Sequence, residues 1–413
     1  MTSTTKDVRK KVIIVGGGFA GVSMARHLGH DARFDVQLFS NRDHFLYYPA
    51  LYGTATGHSA IESAVPMDFV LYDVPRVALT KQEVTSFDPK KHTITTATGE
   101  THHYDTLVLA LGVVTSYFGI PGLEEYSYGI KSMEEVARLR SHLHDELVKN
   151  GRLEKEYAVV GAGPTGVELA ASLTSYLRRI ARMHRIKPTK IKINLIEAAP
   201  RILPRMTETA SDMIAKRLRK LGVTVMTGKT VQADTPTSLV VDGKALPTET
   251  TIWTAGVANH PFFQKNSEHF TFDKRHKVVV DDHMLATKDV YVLGDNAGTE
   301  YSGLAEVAVS DGVFLAKHFI RLADGKLPKP NKGPHPIPFI PIGKGPSVVI
   351  PVGEHWALVE YKQLVITGLL AWWIRRAADF LGYWDVMPFF MALTVWTADR
   401  SEVTDCATCR LKT

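Results

Sequence analysis

Cysteine is absent from the first 405 of the 413 residues, and the only two, Cys406 and Cys409, stand together near the end of the chain. A disulfide framework is thereby excluded, and the usage fits an intracellular protein. Chemistry that needs a thiolate in the core is excluded with it. Long apolar runs are missing too. The two richest, 364–374 and 386–396, stop short of the ~18 residues that argue for a membrane-spanning helix. No block of Lys and Arg follows the pattern of a phosphate-tracking surface, so nucleic acid is not an expected partner. The opening MTSTTKDVRKK is polar and leads directly towards a strand, which leaves no room for a signal peptide.

What is present reads as a globular chain of two or three domains. Hydrophobic residues make up 45% and charged residues 22%, ordinary proportions that argue against disorder. Lys and Arg number 49 against 43 Asp and Glu, an excess that favours anionic partners such as nucleotides or acidic lipid.

The organising feature is a fingerprint that occurs twice. KVIIVGGGFAGVSMARHL (11–28) runs from a β-branched strand through Gly16, Gly18 and Gly21 into a helix. YAVVGAGPTGVELAASL (157–173) repeats the plan with Gly161, Gly163 and Gly166. In such a G-x-G-x-x-G turn the first glycine allows the tight bend and the second lets the backbone approach a pyrophosphate. The third lets helix and strand pack closely, and the phosphates meet the free N–H groups of the helix start. Strand before and helix after supply the context that a bare glycine pattern lacks. Gly16, Gly18, Phe19, Ala20 and Gly21 are therefore one candidate cradle, and Gly161, Gly163, Pro164, Thr165 and Gly166 the other.

The cradles differ at the next strand. IKINLIE (191–197) ends on Glu197, a carboxylate suited to an unphosphorylated ribose and repulsive to a 2′-phosphate, so NADH is favoured over NADPH. Arg201, close by in sequence, keeps NADPH open. DVQLF (35–39) is instead followed by Ser40 and Asn41, weaker ribose partners than a carboxylate; Asp43 is the nearest acid that could stand in. Two cradles imply two dinucleotides, and the economical pair is a flavin with the nicotinamide that reduces it.

Further segments fall into a recognisable order: HFLYYPALYGTATG (44–57), ALGVVTSYFGIPG (110–122), GAGPTGVELA (161–170), LIEAAPRILP (195–204), WTAGV (253–257) and VLGDNAG (292–298). Over residues 10 to about 320 the chain resembles the type II NADH dehydrogenases, single-chain NADH:quinone oxidoreductases among the two-dinucleotide-binding-domain flavoproteins. The resemblance implies an α/β fold with two Rossmann-like domains, for FAD and NADH, and a C-terminal amphipathic membrane-association region. The corresponding divisions are 1–116 and 259–350 for the FAD domain, 117–258 for the inserted NADH domain, and 351–413 for the tail. It implies FAD contacts at Ser40, Pro49, Gly112, Asp295 and Ala305, and NADH contacts that include Gly256. Glu168, on the first turn after the second cradle, would lie near both nicotinamide and flavin; without the resemblance a solvated carboxylate favoured by the helix dipole is the plainer reading.

In that family a helix carrying two glutamines approaches the flavin and the quinone. Here LAEVAVSDGVFLAKHF (304–319) puts Glu306 and Ser310 at those positions. An amide both donates and accepts, whereas an ionised carboxylate only accepts, so the acceptor side departs from the family while the NADH side does not.

In the tail, Leu370, Trp373, Ile374, Ala377, Phe380 and Leu381 share one face of a helix, with Arg375, Arg376 and Asp379 opposite. Such a helix suits a membrane interface, a core or a dimer contact. The aromatic residues of 372–396 and the family resemblance favour a peripheral position on the cytoplasmic side of the cell membrane, with quinone entering from the bilayer and a homodimer left open. CATC (406–409) lacks the second ligand pair of a zinc site and the βαβ setting of a redox pair, so no metal is expected. Disulfide reductases and sulfide:quinone oxidoreductases of this fold need cysteines that the chain does not have. A reductase with a soluble protein acceptor and an NADH-sensing flavoprotein resembling apoptosis-inducing factor remain as alternatives.

Overall fold

The computed structural model describes residues 9–150, 156–186, 191–300, 302–331, 333, 348–361 and 364–402; the Cys406–Cys409 pair lies outside them. The chain begins with strands β1 (Lys10–Val15), β2 (Phe34–Ser40), β3 (Val77–Lys81) and β4 (Thr106–Leu109). It then builds a second sheet from β5 (Glu156–Val160), β6 (Lys192–Glu197), β7 (Val223–Thr227) and β8 (Thr250–Trp253), before returning with β9 (Leu285–Thr287) and β10 (Val290–Val292). The first sheet has the order β9-β10-β4-β1-β2-β3, and the second the order β7-β6-β5-β8. All pairings are parallel apart from the β9–β10 edge. Both are Rossmann-type sheets, and the residues explain why. Val12, Ile13 and Ile14 are fully buried, as are Ala158 and Val159, because a parallel strand covered on both faces is continuously apolar.

Each glycine turn feeds a helix that covers its sheet: α1 (Phe19–Gly29) after β1 and α2 (Pro164–Met183) after β5. A third helix, α3 (Ala305–Ala323), packs across α1. A Cβ on Gly312 would lie 2.4 Å from the Ala20 carbonyl oxygen, so only glycine lets these two backbones meet. A two-stranded antiparallel ribbon, Val113–Thr115 against Val257–Asn259, joins the two halves.

The tail forms an antiparallel sheet, β11 (Val348–Pro351), β12 (Ala357–Tyr361) and β13 (Leu364–Gly368), followed by α4 (Leu369–Trp384) and α5 (Phe389–Glu402). The sheet is pinned to the second half by Glu360, whose carboxylate accepts the Thr207 amide at 3.2 Å. Val386, Met387, Ala392 and Val395 are fully buried in the same core as β1. The expected amphipathic pattern of α4 is present, with Leu370, Trp373 and Ala377 exposed. Its polar side, which the spacing puts opposite, turns inward at Arg375. Arg375 is buried with Ala371 and Tyr383, because this side turns into the protein where carboxylates await it. Among the described residues, no helix is long and apolar enough to cross a membrane.

Candidate active site

The two fingerprints close in the same way. A Cβ on Gly16, whose φ is +118°, would fall 2.1 Å from the Ala110 oxygen. A Cβ on Gly21 would fall 2.0 Å from the Gly16 oxygen. In the second unit a Cβ on Gly161 would lie 2.7 Å from Ala255 Cα, and one on Gly166 1.8 Å from the Gly161 oxygen. The outer glycines thus serve the fold. The middle ones do not: a Cβ on Gly18 or Gly163 meets nothing within 4 Å. Both have extended backbone that other residues adopt, so the space they leave serves something other than the protein. A dinucleotide pyrophosphate at the helix start fits that space.

A cavity of ≈ 950 Å³ runs between the two units. From the first it is lined by Gly16, Gly18, Phe19, Ala20, Ser40 and Pro49, with Gly112, Asp295 and Ala305 beyond them. From the second come Pro164, Thr165 and Glu168, and from α3 comes Glu306. Gly21 lies beneath this cavity in the helix packing. Gly161, Gly163, Gly166, Glu197, Gly256 and Ser310 do not line it. Ser310 stands one turn further along α3 than Glu306, and a Cβ on Gly256 would lie 2.2 Å from the Ser116 oxygen, so that glycine permits a backbone approach.

Glu197 is held ready at the end of β6. Its Oε2 accepts the Ala162 amide at 2.7 Å and its Oε1 the Ala199 amide at 2.9 Å, which aims the carboxylate at the cradle mouth. Arg201 is committed elsewhere, donating to the Met206 and Pro204 carbonyls, both at 2.7 Å, and to Ser211 Oγ. The guanidinium is therefore not free to meet a 2′-phosphate. Ser40, by contrast, is turned onto its own chain: its hydroxyl donates to the Arg42 carbonyl at 2.9 Å and accepts the Arg42 amide.

Around the first cradle, Asp295 Oδ1 accepts the Gly303 amide at 3.0 Å. Asn296 bonds Gly112 twice, accepting its amide at 2.7 Å and donating to its carbonyl at 2.6 Å. Asn296 thus fixes the backbone at Gly112; it was legible only as Asp295's neighbour in VLGDNAG. Behind them Asp311 accepts the Gly294 amide at 3.3 Å, and burial pushes its carboxyl up to about 6. Lys131 also lines the cavity, its Nζ 5.8 Å from the Tyr48 ring centroid. Burial lowers its pKa, and the charges of Asp295 and Glu135 partly oppose that. Nothing in the sequence pattern around it singled this lysine out.

Glu168 is buried, not solvated. Its Oε1 accepts from Arg375 Nη1 at 3.0 Å. The same guanidinium donates through Nε to both Asp379 oxygens at 2.9 Å and through Nη2 to the Pro49 carbonyl at 3.1 Å. Burial pushes Glu168 up to about 7, against the pull of Arg375. One cation shared by two carboxylates cannot fully offset the desolvation of both. Arg375 itself stays charged, because Asp379 and Glu168 outweigh its burial.

Fold and site together define a two-dinucleotide flavoprotein reductase. Residues 10–312 match the family model described as pyridine nucleotide-disulphide oxidoreductase. A type II NADH:quinone oxidoreductase of Mycobacterium tuberculosis is 30% identical over 391 residues, covering 89% of this chain and 82% of that one. A probable NADH dehydrogenase of Dictyostelium discoideum is 27% identical over 355 residues, covering 80% of this chain and 76% of that one. In structure, the chain resembles NDH2 from Plasmodium falciparum in complex with NADH, with a TM-score of 0.82, 18% identity, and coverage of 96% and 99%. The sulfide:quinone oxidoreductase of Aquifex aeolicus shares the fold at a TM-score of 0.73 and 20% identity, with 91% of each chain covered. The chain belongs to the type II NADH:quinone oxidoreductases, within the pyridine nucleotide-disulphide oxidoreductase family.

Proposed function

We propose that this chain oxidises NADH on the second cradle and delivers two electrons, by way of FAD held on the first, to a quinone at a membrane surface, without pumping protons. The observation that carries this reading is the single cavity reaching from Gly18 and Asp295 to Thr165 and Glu168. It would give both cofactors access to one space. FAD supplies the capacity to accept a hydride from NADH and to give the electrons up again.

The chain's own residues bind and align. The helix starts at Phe19 and Pro164 offer free amides to two pyrophosphates, and Lys131 adds positive charge within the same cavity. Asp295, fixed by Gly303, and Gly112, fixed by Asn296, border the flavin. Glu197 takes the ribose hydroxyls of NADH. Pro49 is held by Arg375, which also holds Glu168 beside the nicotinamide. Hydride transfer is chiefly a matter of distance and alignment, and this network supplies both from three parts of the chain.

The apolar surface of the tail favours a lipid-soluble acceptor over a soluble protein. Leu369, Leu370, Trp373 and Trp384 on α4 and Phe389, Phe390 and Leu393 on α5 are exposed. Such a surface suits a peripheral seat on the cytoplasmic face of a membrane. NADH oxidation by the FAD-loaded protein with a short-chain quinone, compared with a ferredoxin-type acceptor, tests the reading. Rapid turnover with the quinone is expected. A long-lived reduced flavin that no quinone reoxidises would overturn it in favour of an NADH sensor.

A further inference from the structure

Glu306 stands in the wall of the shared cavity, on the first turn of α3, half-buried and with no hydrogen bond or ion pair to any described residue. Asp385 caps the C-terminal end of α4 and donates its amide to the Leu381 carbonyl. It is exposed, between Trp384 and the Phe389–Phe390 pair, which are exposed as well. One carboxyl group therefore lies inside, where an acceptor would sit, and a second lies at the protein's apolar outer face. We propose that Glu306 donates a proton to the quinone oxygen and recovers it from the medium.

Stoichiometry gives Glu306 a task. NADH leaves as NAD⁺ having surrendered two electrons and one hydrogen, whereas a quinol carries two electrons and two hydrogens. One proton per turnover must come from the medium. In the proposed step the Glu306 O–H bond breaks as an O–H bond forms on the reduced quinone, and the carboxylate is then reprotonated from the medium. Glu168 is ill placed to supply this proton, since its Oε1 is engaged by Arg375 on the NADH side.

Electrostatics agree. Burial raises the Glu306 pKa, and the charge of Asp385 raises it further. Asp385 reaches solvent, yet enough protein surrounds its carboxyl to raise it as well. Arg42, Lys131 and Arg375 line the same cavity; Arg375 is engaged by Glu168, Asp379 and the Pro49 carbonyl, and none of the three opposes the rise at Glu306. On α1 the charges are at the far end, where Arg26 is paired with Asp73 and His27 bonds the Ser23 carbonyl. The turn before α3 brings Asp295, occupied by the Gly303 amide, and α3 itself brings Asp311, occupied by Gly294 and Asn331. A carboxyl between such neighbours stays protonated to higher pH, as a general acid must. A glutamine at this position could hydrogen-bond an acceptor but not protonate it.

The inference rests on the quinone reading above, and its test separates the two. Turnover of the FAD-loaded protein is followed against pH with a short-chain quinone and with ferricyanide, which takes electrons without protons. For Glu306→Gln the ratio of quinone to ferricyanide turnover is expected to fall by roughly a hundredfold, the scale of a lost general acid. The alkaline decline of quinone turnover should vanish with it. Asp385→Asn removes the neighbouring charge and should move that decline to lower pH. Independently of turnover, infrared titration of the protein should show protonated-carboxyl absorption above the ordinary carboxylate range, to which Glu168 and Asp311 also contribute, and Glu306→Gln should lose one carboxyl's share of it. A quinone pH profile that ignores both substitutions, or infrared absorption unchanged in Glu306→Gln, overturns the proton donation alone. Ferricyanide turnover with no quinone turnover at any pH overturns the acceptor reading and the proton donation together.

Discussion

Arg375 donates to Glu168 across 207 residues of chain, Nη1 to Oε1 at 3.0 Å, and both side chains are buried. Helix α4 of the tail is thereby tied to the first turn after the second cradle. Through the Pro49 carbonyl the same guanidinium reaches the segment that lines the cavity beside the first cradle. Whatever seats the tail is thus mechanically continuous with the cavity between the two cradles.

Loss of the cation should be costly and pH-dependent. Arg375→Ala leaves a buried carboxylate without its partner, a change worth about 3–5 kcal/mol. The loss should be largest near pH 8, where Glu168 would be ionised, and smaller near pH 5, where it is protonated. Urea unfolding at the two pH values measures this, and an equal loss at both would count against the pairing.

Glu168→Gln should behave differently. A carboxyl raised from 4.5 to about 7 in the fold is favoured in its protonated form. Its contribution is full below the unfolded value and is lost as pH rises towards the folded one. Across that window the wild type should lose about 3 kcal/mol through this group, a decline that the glutamine variant lacks. The variant should remain folded, with altered flavin reduction by NADH in stopped-flow traces. Unchanged traces would remove Glu168 from the NADH side of the reaction.

The glycines give a paired experiment. Gly18→Ala and Gly163→Ala should fold with stability within about 1 kcal/mol of wild type, since an added Cβ meets no protein atom. The first should lose FAD on gel filtration, and the second should keep FAD but show a raised KM for NADH. Gly21→Ala and Gly166→Ala should fail to fold, because the new atom would lie 2.0 Å and 1.8 Å from a carbonyl oxygen. Full FAD retention by Gly18→Ala would show that the first cradle does not hold the flavin.

Nucleotide choice should follow Glu197. With Arg201 occupied by two carbonyls and Ser211, the wild type is expected to use NADPH poorly. Glu197→Gln removes the negative charge and weakens the grip on the ribose; charged hydrogen bonds are worth about 1.5–3 kcal/mol. The KM for NADH should therefore rise roughly ten- to a hundredfold, while the preference over NADPH narrows. Steady-state kinetics with both nucleotides decide this, and an unchanged ratio would place the ribose elsewhere.

Membrane attachment is best probed on the surface. Cutting the chain at 363 would remove Arg375, Tyr383, Val386 and Met387 from the core along with any anchor. Phe390, 78% exposed, and Leu370 can be altered without that damage. Phe390→Ser with Leu370→Ser should leave thermal unfolding unchanged and weaken flotation with anionic vesicles by at least tenfold, since each apolar side chain contributes about 2 kcal/mol on burial. Undiminished flotation would put the contact on another surface.

The sequence by itself determined the two cradles, because their glycines answer to local geometry: a bend, an approach and a packed helix within six residues. It also determined the carboxylate at Glu197, which follows its strand by chain continuity. The heptad-like spacing in the tail separated apolar from polar residues on α4 correctly. It could not say which face turned inward, since periodicity fixes relative and not absolute orientation. Only the tertiary structure decided that Arg375 is buried, that Glu168 shares it with Asp379, that Asn296 holds Gly112 and that Lys131 lines the cavity. These are contacts between segments distant in sequence, and an ion pair buried at the meeting of three such segments leaves no local pattern to read.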